Sequence, residues 1–254
     1  MNYNPLKILT GAVSSAGRAP GLHPGGRQFE TVTAHQQADA GAMKLEYPAT
    51  MGSHVQKVLG GEYNIPYRHS APVILDIGAN VGSFAAWALK RWPGCHVHCY
   101  EPLPDNFALL KRNLGQFEGR SVSLNNFAIG DPSRTRLYLG RNNCGEASFY
   151  DIGEQSTVCV EVETRAPDVL PKAQIVKIDT EGSEVEILTR MTSLDFDAVM
   201  LEYHSEANRR KVEELLGDFF LIGGEIRGLH RGTLKFLHRR LVEAAGLLTP
   251  RRVT

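Results

Sequence analysis

The sequence predicts an α/β fold in which a mostly parallel β-sheet is covered by helices on both faces. Short apolar segments recur along the chain, and segments of helical periodicity separate the first of them. Such alternation is typical of parallel sheets, because each parallel connection needs a crossover element. The 254 residues are enough to bury a substantial core, and the formal net charge is +0, so no global field favours a polyanionic partner.

The apolar segments predict a sheet of seven strands. The predicted strands are 73–77, 95–101, 121–127, 174–179, 196–203, 218–223 and 232–238. The last two are joined by "GGEIRG" without a helix, so we expect them to be antiparallel. Alternation in "TRLYLG" and "TVCVEVET" predicts a β-hairpin inserted within residues 131–165, after the third strand.

Helices are predicted from apolar spacing and end signals. The helical segments are "SHVQKVLGGEY", "PDNFALLKRNLGQF", "SEVEILTRM" and "SEANRRKVEELLG". In the second, Phe107, Leu110 and Leu114 fall on one side of a helix. In the third, Ser183 and Glu186 have the spacing of a capping box.

Composition divides the chain into three regions. Residues 1–45 are rich in Gly, Ala, Ser, Thr and Gln and poor in large aliphatic residues, so they cannot build a core alone. We expect these residues to form an N-terminal arm or a mobile lid. The main domain is then expected at 46–241 and a C-terminal tail at 242–254.

The sequence also predicts a cellular location. No apolar run is long enough for a membrane span, and the N-terminus lacks the pattern of a signal peptide. The spacing of Cys95 and Cys99 is not that of a zinc ribbon, and two small buried hydrophobic side chains are the simpler interpretation. We therefore expect a cytoplasmic protein with reduced thiols.

The segment "VILDIGANVG" predicts a ligand-binding turn. In an open parallel sheet, ligands bind beyond the carboxyl ends of the strands. Gly78 and Gly82 would let the backbone pass close to a ligand, and a helix would begin at Ser83. Asn80 takes the middle place, and Asn tolerates a left-handed conformation better than most residues.

Two acids indicate which ligand binds this turn. A dinucleotide fingerprint is G-x-G-x-x-G, whereas this sequence has G-x-N-x-G with Asp76 just before it. An acid there would repel a phosphate and attract a cation, which favours S-adenosylmethionine over NAD. Glu101, at the end of the next strand, is placed to accept hydrogen bonds from ribose hydroxyls. For either acid alone, strand-end solvation or helix capping is the alternative.

Four segments together resemble the FkbM-type S-adenosylmethionine-dependent methyltransferases. They are "DIGANVGSF", "YEPLPDN", "NNFAIGD" and "VKIDTEGSEVEIL", and the resemblance covers roughly residues 73–201. It implies a Rossmann-like class I methyltransferase fold with a seven-stranded sheet whose last strand is antiparallel. It also implies O-methylation of a hydroxyl group on a small molecule, a natural product, or a sugar or glycan.

The resemblance implies a cofactor site for S-adenosylmethionine. The residues carried over are Asp76, Gly78, Asn80, Gly82, Ser83, Glu101, Pro102, Asn126 and Ala128. In that site, the turn after the first predicted strand would hold the methionine and ribose end of the cofactor. Glu101 would bind the ribose hydroxyls, and the segment containing Asn126 and Ala128 would flank the adenine. Asp179 would face the transferred methyl group.

An alcohol is a poor nucleophile at neutral pH, so the acceptor needs a positioned base or a metal ion. Asp179 and His204 are the candidate catalytic residues, because both follow the ends of neighbouring predicted strands. A lone histidine at a strand end is also a common structural residue. The alternative is that Asp179, Glu202 and His204 bind a divalent cation such as Mg²⁺.

Two other functional classes compete with the enzyme. One is a cofactor-binding protein of the same fold without catalysis, against which the presence of Asp76, Glu101 and Asp179 counts. The other is a nucleic-acid methyltransferase, against which the neutral charge counts. We expect a hydroxylated small molecule or glycan as the partner and neither nucleic acid nor membrane, with residues 1–45 and the 131–165 hairpin as walls of the acceptor site.

Overall fold

The computed structural model of the chain describes residues 35–39, 44–140, 143–149, 156–228 and 230–244. Residues 1–34 and 40–43 of the predicted arm and 245–254 of the predicted tail therefore lie outside the described residues. The described part of the arm belongs to two strands that pair antiparallel with each other, and the second of them continues into the predicted main domain.

The structure contains β-strands, α-helices and three short 3₁₀ helices among its described residues. The strands are β1 (His35–Asp39), β2 (Lys44–Pro48), β3 (Val73–Ile77), β4 (His96–Tyr100), β5 (Val122–Asn125), β6 (Ala128–Ile129), β7 (Arg136–Gly140), β8 (Asn143–Ser148), β9 (Ser156–Glu161), β10 (Thr164–Arg165), β11 (Ile175–Ile178), β12 (Ala198–Tyr203), β13 (Phe219–Ile226) and β14 (Gly232–His238). The α-helices are α1 (Gly52–Leu59), α2 (Ser83–Arg91), α3 (Pro104–Leu114), α4 (Glu184–Arg190), α5 (Glu206–Leu215) and α6 (Arg239–Ala244). The 3₁₀ helices are Ala49–Met51, Gly115–Phe117 and Pro167–Val169.

The main sheet has seven strands in the order β13-β14-β12-β11-β3-β4-β5. The pairs from β12 through to β5 are parallel, and β14 is antiparallel to both of its neighbours. The predicted sheet and its antiparallel last strand are confirmed. Because β4 and β11 flank β3 on opposite sides, the carboxyl end of β3 is the topological switch point, where ligands bind in such sheets.

The core lies on both faces of this sheet. Successive residues of β3 point to opposite faces: Ile74 packs in a cluster with Phe84 of α2, and Leu75 packs in a cluster with Ile187 of α4. Cys99 lies in the first cluster as a buried free cysteine, as the sequence predicted.

The predicted hairpin is larger than expected. Strand β7 pairs antiparallel with β9, which confirms the predicted pairing, but β8 pairs with the other edge of β7. The result is a three-stranded antiparallel sheet of order β8-β7-β9. The sequence "RNNCGEAS" lacks apolar alternation, which is why we predicted a connection where the structure has β8.

The predicted capping box of α4 is wrong. Ser183 occupies the N-cap position, but its side chain makes no capping hydrogen bond. Instead, Glu184 Oε1 accepts hydrogen bonds from the backbone N–H groups of Thr180 (3.2 Å) and Gly182 (3.0 Å). Glu184 therefore organises the loop between β11 and α4, which borders the functional site.

Replacing Gly82 with alanine should destabilise the protein through packing as well as backbone strain. Gly82 has φ +90°, and an added Cβ would lie 2.8 Å from Leu110 Cδ1 and 2.9 Å from Leu114 Cδ1 of α3. We expect Gly82→Ala to lower the free energy of unfolding by about 2–4 kcal/mol in urea denaturation.

Gly119 provides the matched control, because it has φ +76° and an added Cβ would meet nothing within 4 Å. Gly119→Ala should cost only the backbone term, about 1 kcal/mol. Equal losses for the two variants would contradict a packing role for Gly82.

Candidate active site

A cavity of about 380 Å³ opens at the carboxyl ends of β3, β4 and β11. The loops after these three strands contribute Gly78, Glu101 and Asp179 to its lining. Helix α1 forms another wall, and Leu137 and Phe149 of the inserted segment form a third. The cavity therefore lies at the switch point that the sheet order predicts.

The turn after β3 is packed tightly between the ends of the neighbouring strands β4 and β11. The backbone N–H groups of Gly78 and Ala79 both donate to the carbonyl oxygen of Tyr100, at 3.0 Å each. Gly78 has φ +79°, and an added Cβ would lie 1.9 Å from the carbonyl oxygen of Asp179. Asn80 adopts the expected left-handed conformation, with φ 50°. Only glycine fits at position 78, so the backbone itself forms this part of the cavity.

Glu101 is fixed in one orientation at the end of β4. Its carboxylate is buried, and it accepts hydrogen bonds from the backbone N–H groups of Asn80 (Oε2, 2.8 Å) and Leu103 (Oε1, 3.0 Å). Burial raises the pKa of Glu101 to about 7, although the two N–H groups oppose this rise. Glu101 therefore lines the cavity with its carboxylate held in a fixed orientation.

Asp76 lies one layer beneath the cavity. Its side chain is 0% exposed, and it is not among the described residues that line the cavity. Its Oδ1 is 3.2 Å from Nζ of Lys177, which also donates to the carbonyl oxygen of Gly78 at 2.7 Å. Burial raises the pKa of Asp76, and Lys177 opposes that rise. We expected Asp76 to hold a ligand directly; in the structure its carboxylate contacts Lys177, and neither side chain is among the described residues that line the cavity.

Asp179 lines the cavity at the end of β11. The hydroxyl of Tyr63 donates to its Oδ2 at 3.3 Å, and Nζ of Lys177 lies 3.7 Å from the same oxygen. Burial acts to raise the pKa of Asp179, but Lys177 and His54 outweigh it, and the pKa lies below its ordinary value. Asp179 is therefore ionised at neutral pH.

His204 lies beside Asp179, as the sequence predicted. A carboxylate oxygen of Asp179, a carboxylate oxygen of Glu181 and a ring nitrogen of His204 lie within 4.8 Å of one another. His204 Nε2 is 3.0 Å from Glu181 Oε2, and its Nδ1 is 3.1 Å from Glu184 Oε1. Burial disfavours the charged ring, but the neighbouring carboxylates of Glu181 and Glu184 outweigh it and raise the pKa of His204 to about 11. The ring is therefore an imidazolium at neutral pH: its Nδ1 is hydrogen-bonded to Glu184, and its Nε2 is at ion-pair distance from Glu181.

Glu202, the third member of the alternative metal set, is bound by arginines. Its side chain is 1% exposed, and its Oε2 accepts a hydrogen bond from Nη2 of Arg227 at 2.8 Å. Its Oε1 forms an ion pair with Nε of Arg231. Glu181 takes the place that the sequence assigned to Glu202 beside Asp179.

The remaining predicted cofactor residues have different roles. Pro102 and Ala128 line the cavity. The side-chain amide of Asn126 donates to the carbonyl oxygens of Glu101 (2.9 Å) and Pro102 (3.2 Å), so Asn126 supports the loop after β4. Ser83 is buried at the start of α2, as expected, and is not among the described residues lining the cavity.

Sequence reasoning missed several residues that line the cavity. His54 and Lys57 come from α1, and Arg227 and Arg231 from the connection between β13 and β14. Glu181 also lines the cavity, in a left-handed conformation with φ 50°. The two arginines between the last strands could have been found from the sequence. Strand β13 runs in the same direction as β12, so the connection after β13 lies at the same edge of the sheet as the cavity.

Comparison with known proteins agrees with this architecture. The methyltransferase FkbM domain matches residues 76–240. The 31-O-demethyl-FK506 methyltransferase FkbM of Streptomyces tacrolimicus is 46% identical over 63% of this chain and 77% of its own length. The 2-O-methyltransferase NoeI of Sinorhizobium fredii is 26% identical over 64% of this chain and 78% of its own length.

Two further proteins are similar to this chain. The hexuronic acid methyltransferase AglP of Haloferax volcanii is 28% identical over 63% of this chain, and the chain spans 66% of that relative's length. The crystal structure of an FkbM methyltransferase from Methylobacillus flagellatus is 13% identical, with a TM-score of 0.44 over 67% of this chain and 45% of that one. Because the FkbM domain covers most of the described chain, the protein belongs to the family of methyltransferases that carry this domain.

Proposed function

We propose that the protein is an S-adenosylmethionine-dependent O-methyltransferase that acts on a hydroxyl group of a sugar, a glycan or another small molecule. The observation that carries the proposal is a cavity that is lined at one end by Gly78 and Glu101 and that also contains an ionised acid, Asp179. The names of the relatives, which refer to a hexuronic acid, a 2-O position and a 31-O position, support an oxygen acceptor.

The residues at the switch point fit S-adenosylmethionine. The backbone at Gly78 leaves no room for a side chain, so a ligand can approach the main chain there. The buried Oδ1 of Asn80 has no hydrogen-bond partner among the described residues, which leaves it for a ligand amine. Glu101 would accept the ribose hydroxyls, and Pro102 and Ala128 would lie beside the adenine. When bound, S-adenosylmethionine supplies an electrophilic methyl carbon.

Two carboxylates are available to the acceptor hydroxyl. We propose that ionised Asp179 accepts its hydrogen bond and orients it, because positioning supplies much of the rate in a displacement reaction. The proton leaves the hydroxyl along this hydrogen bond to Asp179 and passes on to Glu181, which also lines the cavity and is the stronger base of the pair because burial raises its pKa. Its left-handed backbone is the kind of strain that is found at functional sites.

His204 acts in this proposal as a positioning residue. A protonated imidazole cannot accept a proton, so the base role predicted for His204 passes to the carboxylates. His204 instead donates from Nδ1 to the buried carboxylate of Glu184, and its Nε2 forms an ion pair with Glu181. This arrangement fixes the orientation of Glu181 toward the cavity.

We propose that the transfer needs no divalent cation. Cationic side chains already compensate for the acids of the alternative metal set: Lys177 for Asp179, and Arg227 and Arg231 for Glu202. His204 would have to lose a proton that two carboxylates hold before it could bind a metal.

Leu137 and Phe149 line the cavity, which supports the prediction that the inserted segment forms a wall of the acceptor site. Within the described ranges, no helix is long and apolar enough to cross a membrane. The cytoplasmic location, the lid role of residues 1–45 and the absence of a nucleic-acid partner stay predictions.

Calorimetric titration of the full chain with S-adenosylhomocysteine and with NAD tests the cofactor assignment. We expect S-adenosylhomocysteine to bind and NAD not to bind. A screen of hydroxylated metabolites for uptake of labelled methyl groups then identifies the acceptor. Binding of NAD without binding of S-adenosylhomocysteine would overturn the proposal.

Removing the charge of Asp179 should impair methyl transfer and not cofactor binding. For Asp179→Asn, we expect kcat to fall by about 100-fold or more with the acceptor found in the screen. The dissociation constant of S-adenosylhomocysteine should stay within about threefold of the wild-type value. Asp168→Asn is the control, because Asp168 is exposed and lies outside the cavity lining. Unchanged turnover in Asp179→Asn would remove Asp179 from the reaction.

Cofactor binding should depend on pH through Glu101. The pKa of Glu101 in the free protein is about 7, so the protonated form gains population as the pH falls from 8 to 6. Ribose hydroxyls favour the ionised form, and binding should therefore release a proton. We expect the affinity for S-adenosylhomocysteine to fall by about tenfold from pH 8 to pH 6, as measured by calorimetry.

Glu101→Gln should bind more weakly and lose this pH dependence. Glu118→Gln, a change at an exposed carboxylate, should retain it. An equally steep profile in Glu101→Gln would assign the titration to a different group.

A further inference from the structure

Three cationic side chains form one wall of the cavity. Lys57 of α1 and Arg227 and Arg231 of the β13–β14 connection all line it, and we call them the basic wall. Their side chains are 34%, 26% and 38% exposed, so each is accessible from the cavity or its mouth. The wall therefore combines two elements that are far apart in the sequence.

Two buried acids hold the basic wall from behind. Glu62 and Glu202 have side chains that are 2% and 1% exposed, and neither is among the described residues that line the cavity. Glu62 Oε1 lies 3.2 Å from both Lys57 Nζ and Arg227 Nη2. Glu202 binds Arg227 at 2.8 Å and also pairs with Arg231. The acids are thus in a layer behind the cations.

This layering gives the cations a role beyond stabilising the fold. Buried ion pairs contribute little net stability, because desolvation offsets most of their attraction. Acids placed behind guanidinium groups do, however, fix the orientation of those groups before a ligand arrives, which lowers the entropic cost of binding. Lys57 also contacts Glu225, which is 50% exposed and lies outside the cavity lining.

Resting on the proposed function, we propose that the basic wall binds a carboxylate of the acceptor, so that the acceptor is a hydroxylated sugar acid of the uronic acid class. Arg231 Nη2 lies 2.9 Å from Glu181 Oε1, and Glu181 belongs to the cluster that includes Asp179. The wall and the catalytic acids therefore border the same end of the cavity, where one small molecule can contact both.

The charge balance favours a carboxylate over a phosphate. Asp179 and Glu181 lie next to the wall, and both would repel a dianion more strongly than a single negative charge. A carboxylate accepts charge-assisted hydrogen bonds from such cationic groups, which fix the sugar ring as well as attracting it. The hydroxyl to be methylated then faces Asp179.

Two ligands that differ at one group test the proposal. The full chain, saturated with S-adenosylhomocysteine, is titrated by calorimetry with methyl β-D-glucuronide and with methyl β-D-glucoside. We expect the glucuronide to bind at least about tenfold more tightly, because a charge-assisted hydrogen bond is stronger than a neutral one. Equal affinities, or no binding of the glucuronide, would overturn the proposal. Failure to bind S-adenosylhomocysteine would instead reject the proposed function.

Variants of the wall provide the second measurement. Lys57→Met leaves Glu62 paired with Arg227, and Arg227→Lys keeps a charge beside Glu202 but removes the planar fork. Each should weaken glucuronide binding by about tenfold or more and leave the affinity for S-adenosylhomocysteine unchanged. Lys90→Met, at an exposed position of α2, is the matched control and should bind like the wild type. Wild-type glucuronide affinity in both wall variants would also overturn the proposal.

Discussion

The buried ammonium group of Lys177 is the interaction on which the site depends. Lys177 is 4% exposed and contacts Asp76, Asp179 and the carbonyl oxygen of Gly78. It therefore joins the ends of β3 and β11 at the switch point of the sheet. Burial acts to lower the pKa of Lys177, but the two acids outweigh it and keep the side chain charged. Without this cation, two buried carboxylates would face each other, which costs several kcal/mol or forces one to take up a proton.

Burial and neighbouring cations also give the acids of the cavity different pKa values. Asp179 is close to cations and stays ionised, whereas Glu101 accepts only backbone hydrogen bonds and titrates near neutral pH. Glu181 has a raised pKa despite its bond to His204. Carboxylates within one cavity thus acquire different proton affinities from burial and from the cation beside each. Orienting a hydroxyl, accepting its proton and binding a ribose are tasks that require this difference.

Local patterns in the sequence were enough to predict the sheet and the turn. Apolar segments identify buried strands, and Gly78, Asn80 and Gly82 are residue types that accept the left-handed conformations they adopt here. The residues that lie at the carboxyl ends of β3, β4 and β11 follow from that topology, so Glu101 and Asp179 could be placed from the sequence.

Partners that come from distant parts of the chain could not be predicted in this way. Nothing local indicates that Lys177 neutralises Asp76, or that arginines after β13 bind Glu202 in β12. The capping box of α4 failed because Glu184 binds the preceding loop and His204, while the side chain of Ser183 makes no capping hydrogen bond. The role of His204 depends on two carboxylates on other elements, and periodicity does not report them.

The most direct test is the affinity for S-adenosylhomocysteine, measured by calorimetry, of the single variant Lys177→Met and of the double variant that also carries Asp76→Asn. We predict at least about tenfold weaker binding in the single variant and a smaller loss in the double variant, because the unpaired buried charge has been removed. Wild-type affinity in a folded Lys177→Met protein would contradict the claim that this buried cation maintains the cofactor turn.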